Sequence, residues 1–365
     1  PVPATQASAP PAPVPEPAPA IEQAPTAEPA PRPPVRQRSN RRLAAIGAAA
    51  AAAAGLAVVL VLALGGGGGG GNAAGEVLPA VPLGTSAVDA SATGGSVWFA
   101  SREDGTLRRV DAAKAKPVGK PVPVFAGPYR LAGADTSVWT ISSSVPQAAG
   151  IDAAAAGPTR STVDLPAAAD DVAIGEGAVW IMVNPTGPRA VGQLIAVDPA
   201  TSQRRDSRSS TSMLAGVTTG HGAVWELEET GAVLRGLDPS DLTTVASIPL
   251  GTPVHLGSAA VVSDAQAVWV ADGPSGRLLR VDPRSNSVAN RIGVRATNNV
   301  GLAAGGGAIW WIDQDRGTAS RIDVGSNRVI GSPLALGGTA GGATVSGRTL
   351  WVSLPSERSV ARVRF

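Results

Sequence analysis

The chain lacks or nearly lacks several residue types, and each shortage excludes a kind of chemistry. Its 365 residues include no cysteine, which excludes disulfides, thiol nucleophiles and cysteine-ligated metals. Only two histidines occur, His221 and His255, and no H-x-H or comparable ligand motif is present. The sequence therefore predicts neither a metal site nor a cofactor.

An excess of charge of one sign is also missing. The 30 basic and 28 acidic residues leave a net charge of +2, and only Lys114, Lys116 and Lys120 are lysines. Apart from one arginine cluster near the N-terminus, the arginines are interleaved with acidic residues. Because nucleic-acid binding needs a concentrated basic surface, no nucleic-acid partner is predicted.

Aromatic residues make up only 3% of the chain, yet tryptophan recurs at a fixed period. Seven times an aliphatic residue precedes a tryptophan, at intervals of 41, 41, 45, 44, 41 and 41 residues. A hydrophobic-aromatic strand repeated about every 40 residues is typical of a β-propeller, in which each repeat forms one four-stranded blade. We therefore predict an all-β, seven-bladed propeller over residues 76–365. The seven tryptophans are Trp98, Trp139, Trp180, Trp225, Trp269, Trp310 and Trp351.

We interpret these tryptophans as structural. Aromatic faces also stack on sugars, but a residue at the same strand position in every blade faces the neighbouring blade, where burial stabilises the fold. Trp311 lies outside the repeat and is predicted to point to the opposite side of its blade from Trp310. Packing is the favoured role for Trp311 as well.

A second repeated residue is an aspartate. It follows the tryptophan by 13 positions in five repeats and by 18 in the third, which predicts about five inserted residues in the loop 184–189. Aspartate side chains accept hydrogen bonds from nearby backbone N–H groups, so we predict that these residues form turns. They are Asp111, Asp152, Asp198, Asp238, Asp282 and Asp323.

The two ends of the repeat region complement each other. The last repeat stops after its third strand, whereas residues 76–83 have the apolar pattern of an outer strand and precede the first repeat. We predict that this N-terminal strand completes the last blade, because closure of the ring pairs two otherwise exposed sheet edges.

The region before the repeats has three parts. Residues 1–42 are rich in proline and alanine and predict a disordered segment with a basic end. Residues 43–64 carry no charge and are long enough for a transmembrane helix, and residues 65–75 form a glycine-rich linker. Arginines precede the span and none follows it directly, so the N-terminus is predicted to be cytoplasmic and the propeller extracytoplasmic, in a single-pass protein of the cell membrane. Small residues along the span leave a homodimer open.

The repeat sequence, for example Ala-Val-Trp-Val-Ala-Asp at 267–272 followed by Leu-Leu-Arg-Val-Asp-Pro at 278–283, resembles the YVTN/NHL-like bacterial propellers, which include virginiamycin B lyases. Such a lyase implies metal-assisted elimination by histidines and a glutamate grouped on one face. Here His221 is predicted in a turn at one end of the ring and His255 in a connection at the other. That departure puts the lyase activity in doubt.

The order of segments resembles the C-terminal half of actinobacterial receptor serine/threonine kinases. The resemblance implies a kinase domain upstream of Pro1, since this chain contains no Gly-rich phosphate loop, HRD or DFG segment. Whether the protein is an enzyme is left open. The predicted function is an extracytoplasmic sensor that binds a small envelope ligand or a protein, and the alternatives are a lyase-like enzyme or a non-signalling scaffold or adhesion propeller.

A ligand site is predicted on one face of the ring. In a propeller, two sets of connections lie on the same face, around the mouth of the central channel. One set precedes the inner strands of the blades, and the other follows the second strands. Polar residues of these connections are therefore brought together although they lie far apart in sequence. The predicted ligand-binding residues are Tyr129, Arg130, Asp171, His255 and Asn299.

Overall fold

Each repeat folds into one antiparallel sheet of the propeller. A computed structural model describes residues 74–134, 136–154, 161–187, 190–252 and 254–365, and the regular secondary structure within these ranges is entirely β. Seven sheets follow one another along the chain, and each has its strands in sequence order from the inside outward, apart from the closing strand. The prediction of a seven-bladed all-β propeller is confirmed.

The strands of a blade are called a, b, c and d from the channel outward. The strand that closes the ring is β1 (Glu76–Pro82). Blades 1 to 3 contain β2 (Ala87–Thr93), β3 (Ser96–Ser101), β4 (Thr106–Asp111), β5 (Lys116–Pro117) and β6 (Val122–Pro123); β7 (Pro128–Ala134), β8 (Ser137–Ser142), β9 (Gln147–Asp152) and β10 (Ser161–Asp164); and β11 (Ala169–Gly175), β12 (Ala178–Val183), β13 (Gln193–Val197) and β14 (Arg204–Ser209).

Blades 4 to 7 continue the same order. They contain β15 (Leu214–Gly220), β16 (Ala223–Glu228), β17 (Val233–Leu237) and β18 (Thr244–Pro249); β19 (Ala259–Ser263), β20 (Val268–Asp272), β21 (Arg277–Asp282) and β22 (Ser287–Gly293); β23 (Val300–Gly305), β24 (Ala308–Asp313), β25 (Thr318–Asp323) and β26 (Arg328–Ala335); and β27 (Ala343–Ser346), β28 (Thr349–Leu354) and β29 (Ser359–Arg364), which are completed by β1.

The tryptophans lie between blades. All seven are at most 2% exposed, and each belongs to a separate hydrophobic cluster with residues of the following blade. Trp98, for instance, packs with Leu131, Val138 and Ile151 of blade 2. Trp310 and Trp311 belong to different clusters, so the two adjacent indoles face opposite neighbours. Burial of one such side chain contributes about 1.5–3 kcal/mol, and the seven clusters together hold the ring.

Ring closure depends on β1. It pairs antiparallel with β29, from Glu76 opposite Arg364 to Pro82 opposite Ser359, with an irregularity after Leu78. The Arg362 guanidinium donates to the Pro79 carbonyl oxygen at 2.8 Å. The first described strand of the chain is therefore the outer strand of the last blade.

Blade 1 departs from the regular pattern in its outer strand. In place of one d strand, two short strands, β5 and β6, pair with β4 separately. Prolines 117, 121 and 123 fall in this segment. Proline has no N–H to donate to a sheet ladder, so a continuous strand is not maintained here.

The repeated aspartates form turns between the c and d strands. Asp111 Oδ1 accepts from the backbone N–H groups of Ala113 at 3.0 Å and Lys114 at 2.8 Å, and Asp198 Oδ1 accepts from Ala200 at 2.8 Å and Thr201 at 3.0 Å. The N–H of Thr201 and the guanidinium of Arg205 lower the pKa of Asp198 to about 2. The turn-forming role predicted from the spacing agrees with these contacts.

The predicted disordered segment 1–42, the transmembrane helix 43–64 and most of the linker 65–75 lie outside the described residues. Within the part of the chain that the structure describes, no helix is long and apolar enough to span a membrane.

Candidate ligand site at the channel mouth

The inner strands of the propeller enclose a cavity of about 780 Å³. All seven a strands, or the connections directly before them, contribute to its wall. The cavity is therefore the central channel of the ring. It falls in the volume range of about 300–1,000 Å³ that is usual for small-molecule sites.

One position of the repeat decides the character of the channel mouth. This position lies nine residues before the repeated tryptophan. In six blades the residue at this position pairs with the second residue after the tryptophan, as Asp89 pairs with Ala100 and Gly301 pairs with Ile312. The seven residues in blade order are Asp89, Arg130, Asp171, Gly216, Ala260, Gly301 and Gly342. Charge is therefore confined to three adjacent blades, and the other four present glycine or alanine.

We call Asp89, Arg130 and Asp171 the charged arc. In each of their strands, β2, β7 and β11, the register shifts by one residue directly before the charged side chain, as it also does before Gly216 in β15. A bulge of this kind bends a strand and redirects the side chains beside it. All three residues line the cavity.

The two aspartates also connect neighbouring blades. Asp89 Oδ2 accepts from the Leu131 N–H at 2.8 Å, and Asp171 Oδ2 accepts from the Val217 N–H at 3.0 Å. Leu131 and Val217 each follow the mouth position of the next blade. Each carboxylate therefore ties two inner strands together while it borders the channel.

Burial perturbs both carboxyl groups. Asp89 is 7% exposed, and burial raises its pKa to about 6, although the Arg130 charge and the Leu131 N–H act in the opposite direction. Burial likewise raises the pKa of Asp171, again opposed by Arg130. Burial acts to lower the pKa of Arg130, but Asp89, Tyr129 and Asp171 together outweigh it, and the pKa stays above its usual value. Arg130 is thus charged at every accessible pH.

Arg130 has unused donors. Its Nε atom is buried and has no hydrogen-bond partner, and among the described residues no ion pair within 4.0 Å joins its guanidinium to Asp89 or Asp171. The guanidinium stacks on the Tyr129 ring at 4.8 Å from the centroid. An arginine held in this way has donors left for an acceptor that enters the channel.

The structure brings four of the five predicted ligand residues to one place. Tyr129, Arg130, Asp171 and Asn299 line the cavity, whereas His255 is not part of its wall. His255 Nδ1 lies 2.8 Å from Asp272 Oδ1, and the histidine side chain is 52% exposed on the rim. His221 occupies the turn between β15 and β16, at the opposite end of the blade.

The contact of His255 belongs to a repeated structural device. In blades 1, 2, 4, 5 and 6, a buried polar residue three positions after the tryptophan bonds to the connection that precedes the inner strand, in blade 2 from Ser142 Oγ to the Ala126 carbonyl oxygen at 2.9 Å. Ser210 Oγ donates to Glu228 Oε1 at 2.8 Å, and Thr297 Oγ1 donates to Asp313 Oδ1 at 2.8 Å. Thr85 and Ser101 form the same contact in blade 1. His255 replaces a hydroxyl residue in this series, so its position is accounted for by the fold.

Asp89 is the site residue that the sequence analysis missed. Its immediate neighbours in the sequence, Val88 and Ala90, are apolar, whereas Asp171 follows Asp170. The signal that identifies it is the distance of nine residues to the repeated tryptophan, which places it beside Arg130. Among the described residues, no group of three or more histidines, cysteines, aspartates or glutamates is arranged to hold a metal ion.

Solved structures show the class of the fold. No family model matches the chain, and no curated protein matches it. A streptogramin B lyase is 14% identical with a TM-score of 0.64, over 78% of this chain and 96% of that chain. Virginiamycin B lyase from Staphylococcus aureus is 14% identical with a TM-score of 0.64 over 80% of this chain and 98% of that one, and one of its structures is a catalytically inactive variant with quinupristin.

A third neighbour is the hydrazine synthase of Kuenenia stuttgartiensis, at 11% identity and a TM-score of 0.63 over 78% of this chain and 96% of that chain. The chain is thus a seven-bladed propeller similar to those of virginiamycin B lyases. At such low identity the likeness concerns the fold alone, because one fold serves many functions.

Proposed function

We propose that this chain is an extracytoplasmic sensor propeller on a single-pass membrane anchor, and that the channel mouth is its ligand site. The observation that carries the proposal is the charged arc: an arginine with unused donors lies between two carboxylates at the entrance of a 780 Å³ channel. Convergent polar groups with perturbed pKa values at a cavity are the usual mark of a binding site.

The path of the chain supports the orientation of this sensor. The linker enters the propeller at Glu76, opposite Arg364 at the end of the last c strand. The c strands end at the face opposite the mouth, because they begin at the connections that surround it. The chain therefore enters the propeller at the face opposite the channel mouth.

Signal transfer would occur by clustering. Seven consecutive glycines, residues 65–71, do not transmit a rigid rotation. A ligand that gathers several propellers would raise the local concentration of the cytoplasmic ends, which is the form of output a receptor kinase uses. A kinase domain upstream of Pro1 belongs to this proposal and is motivated by the order of segments alone.

The absence of cysteine provides a direct test of the orientation. Val245 is 54% exposed on an outer strand, so Val245→Cys creates a single thiol on the propeller, and Ser39→Cys creates one before the predicted span. In intact cells a membrane-impermeant maleimide should label Val245→Cys and leave Ser39→Cys unlabelled until lysis. The reverse pattern, or equal labelling of both, would overturn the proposed anchor and orientation.

The site itself is tested by a ligand screen. Full-length protein is screened by thermal shift against a library of small polar metabolites and short peptides. Hits should stabilise the wild type and lose their effect in the double variant Arg130→Gln/Asp171→Asn, which should remain folded. Hits that stabilise both proteins equally would move the site away from the channel mouth.

A further inference from the structure

We propose that the charged arc binds a small zwitterion, an α-amino acid or a close analogue. The ligand carboxylate binds Arg130, and the ligand ammonium group lies on the channel side of the two aspartates. The inference rests on the proposed function, since it takes the channel mouth as the ligand site. It adds the chemical class of the ligand.

The order of charges selects a ligand that carries both signs. Around the mouth the charges alternate as negative, positive, negative at Asp89, Arg130 and Asp171. A simple anion on Arg130 would be repelled by a carboxylate on either side, and a simple cation would be repelled by the guanidinium between them. A ligand with adjacent ammonium and carboxylate groups places an opposite charge against each member of the arc, so only this ligand gains from all three.

The three side chains have hydrogen-bonding capacity left for such a ligand. A carboxylate offers about four lone-pair sites, and Asp89 uses them for the backbone N–H groups of Leu131 and Ala90 only, which leaves about two for a ligand. Arg130 presents a planar fork that matches a carboxylate with two parallel hydrogen bonds, and its Nε atom is unpartnered. Stacking on Tyr129 restricts this fork, so little conformational entropy is lost on binding.

The neutral half of the mouth leaves room for the rest of the ligand. Gly216, Ala260, Gly301 and Gly342 complete the ring at this level and carry no bulky side chain. A Cβ atom at Gly342 would lie only 1.6 Å from Asp89 Oδ1, so this glycine is what permits the carboxylate to adopt its position. The side chain of a bound amino acid would point across the channel toward Ala260.

The dependence of affinity on pH separates a zwitterion from an anion. The charged groups that act on Asp89 are Arg130 and Asp171, on blades 2 and 3, and its neighbours on blade 7 at this level are Gly341 and Gly342. Asp89 titrates near pH 6 because burial disfavours its charge. An ammonium group needs the ionised form, so the affinity of an amino acid rises as pH increases from 5 to 7.5. A simple anion prefers the protonated form, and its affinity falls over the same range.

Calorimetric titration of the full-length protein tests the proposal. The probes are the free L-amino acids and glycine, with acetate and methylammonium as the two halves of the zwitterion. We expect at least one amino acid to bind at least tenfold more tightly than either half at pH 7.5, and more tightly at pH 7.5 than at pH 5.

Three variants should each lower this affinity at least tenfold: Arg130→Gln, Asp89→Asn and Asp171→Asn. An asparagine still accepts the N–H of Leu131 or Val217, so the inner strands stay joined while the charge is removed. Arg358→Gln is the matched control, because Arg358 lies on the same face, pairs with Glu103 at 3.4 Å and is exposed. The Arg358→Gln protein should bind amino acids like the wild type. Ala260→Leu should weaken binding of large amino acids more than that of glycine.

Two results would overturn the inference in distinguishable ways. If acetate binds as tightly as every amino acid and its affinity falls with rising pH, the site takes simple anions and the zwitterion is wrong. If no amino acid binds although a screened ligand depends on Arg130, the zwitterion is again wrong while the channel-mouth site stands. Ligand binding that is indifferent to Arg130 and Asp171 would remove both.

Discussion

Blades 1–3 and blades 4–7 differ at the one level where the channel opens. The first group presents Asp89, Arg130 and Asp171, and the second presents only glycine and alanine at the equivalent positions. Yet the two groups share the same strand order and the same packing of a tryptophan against the next blade. The ring is therefore regular where it needs stability and irregular where a ligand would enter.

The contrast also holds within a single repeat. The tryptophan position is the same residue in all seven blades, because its burial between sheets is required in each. The position nine residues earlier varies between acid, base and small residue, because it borders the channel and is not packed between two sheets. In an internally repeated protein, the varied inward-facing position is the one to examine for function.

Removal of the closing strand should have the largest effect, since it damages both groups of blades together. Deletion of residues 76–82 leaves the edge of β29 unpaired and removes the buried Val81 from the junction of blades 7 and 1. We expect the cooperative thermal transition to disappear, or the melting temperature to fall by more than about 10 °C, because several kcal/mol of packing is lost. An unchanged melting curve would show that β1 is dispensable for closure.

Truncation of one repeated tryptophan tests the regular part of the comparison. Trp269→Ala removes a fully buried indole that packs with Val300 and Ile309 of blade 6. The expected loss is about 3–5 kcal/mol in the free energy of unfolding, as for other large-to-alanine substitutions in a core. Urea denaturation measures it, and a loss below about 1 kcal/mol would contradict a structural role.

The charged arc should cost the protein stability at neutral pH. A carboxyl whose pKa rises on folding from 3.8 to about 6 favours the folded state fully below pH 4, and this contribution is lost as pH rises through 6. At about 1.4 kcal/mol per pKa unit, the loss amounts to about 2–3 kcal/mol.

Asp89→Asn removes this titration. The stability of the variant relative to the wild type should therefore increase by about 2–3 kcal/mol between pH 4 and pH 7.5. Paired urea denaturation at the two pH values measures the change. If the free energy of unfolding of the variant relative to the wild type were the same at both pH values, Asp89 would titrate like an exposed carboxyl.

The smallest effect is expected in the neutral half of the mouth. The substitution Ala260→Ser tests this half. Ala260 lies in the same blade as Trp269, nine residues earlier, and is half-buried in the wall of the channel. Its effect on the free energy of unfolding should stay within about 0.5 kcal/mol, the usual range for substitutions that disturb no packing. A loss comparable to that of Trp269→Ala would mean that the channel wall is packed as tightly as the core.

Sequence periodicity was sufficient for most of the fold. The spacing of the tryptophans predicted seven blades, and the apolar residues 76–83 predicted the strand that the structure gives as β1. The broken outer strand of blade 1 was not predicted, because three prolines there act on hydrogen bonding rather than on the apolar pattern. Local irregularities of this kind do not alter the period.

The candidate site was less accessible to the same reasoning. Arg130 and Asp171 were found because their polar neighbours suggested connections, a weak signal shared by many exposed loops, although the structure places both in inner strands, β7 and β11. Asp89 occupies the same strand position and was missed because its immediate neighbours, Val88 and Ala90, are apolar. His255 was included because of its loop, but its contact with Asp272 is the same tether that hydroxyl residues make in other blades. Which polar residues face the channel is decided by strand register, and the register became visible only in three dimensions.

The state of the Arg130 guanidinium tests the central claim most directly. In protein labelled with ¹⁵N-arginine, the Nε–H signal of Arg130 is assigned by its disappearance in Arg130→Gln and is then followed during titration with a ligand from the screen. We predict that this signal shifts as the ligand binds, while the Arg358 signal is unchanged. A ligand that saturates the protein and leaves the Arg130 signal unmoved would show that the charged arc is not the binding site.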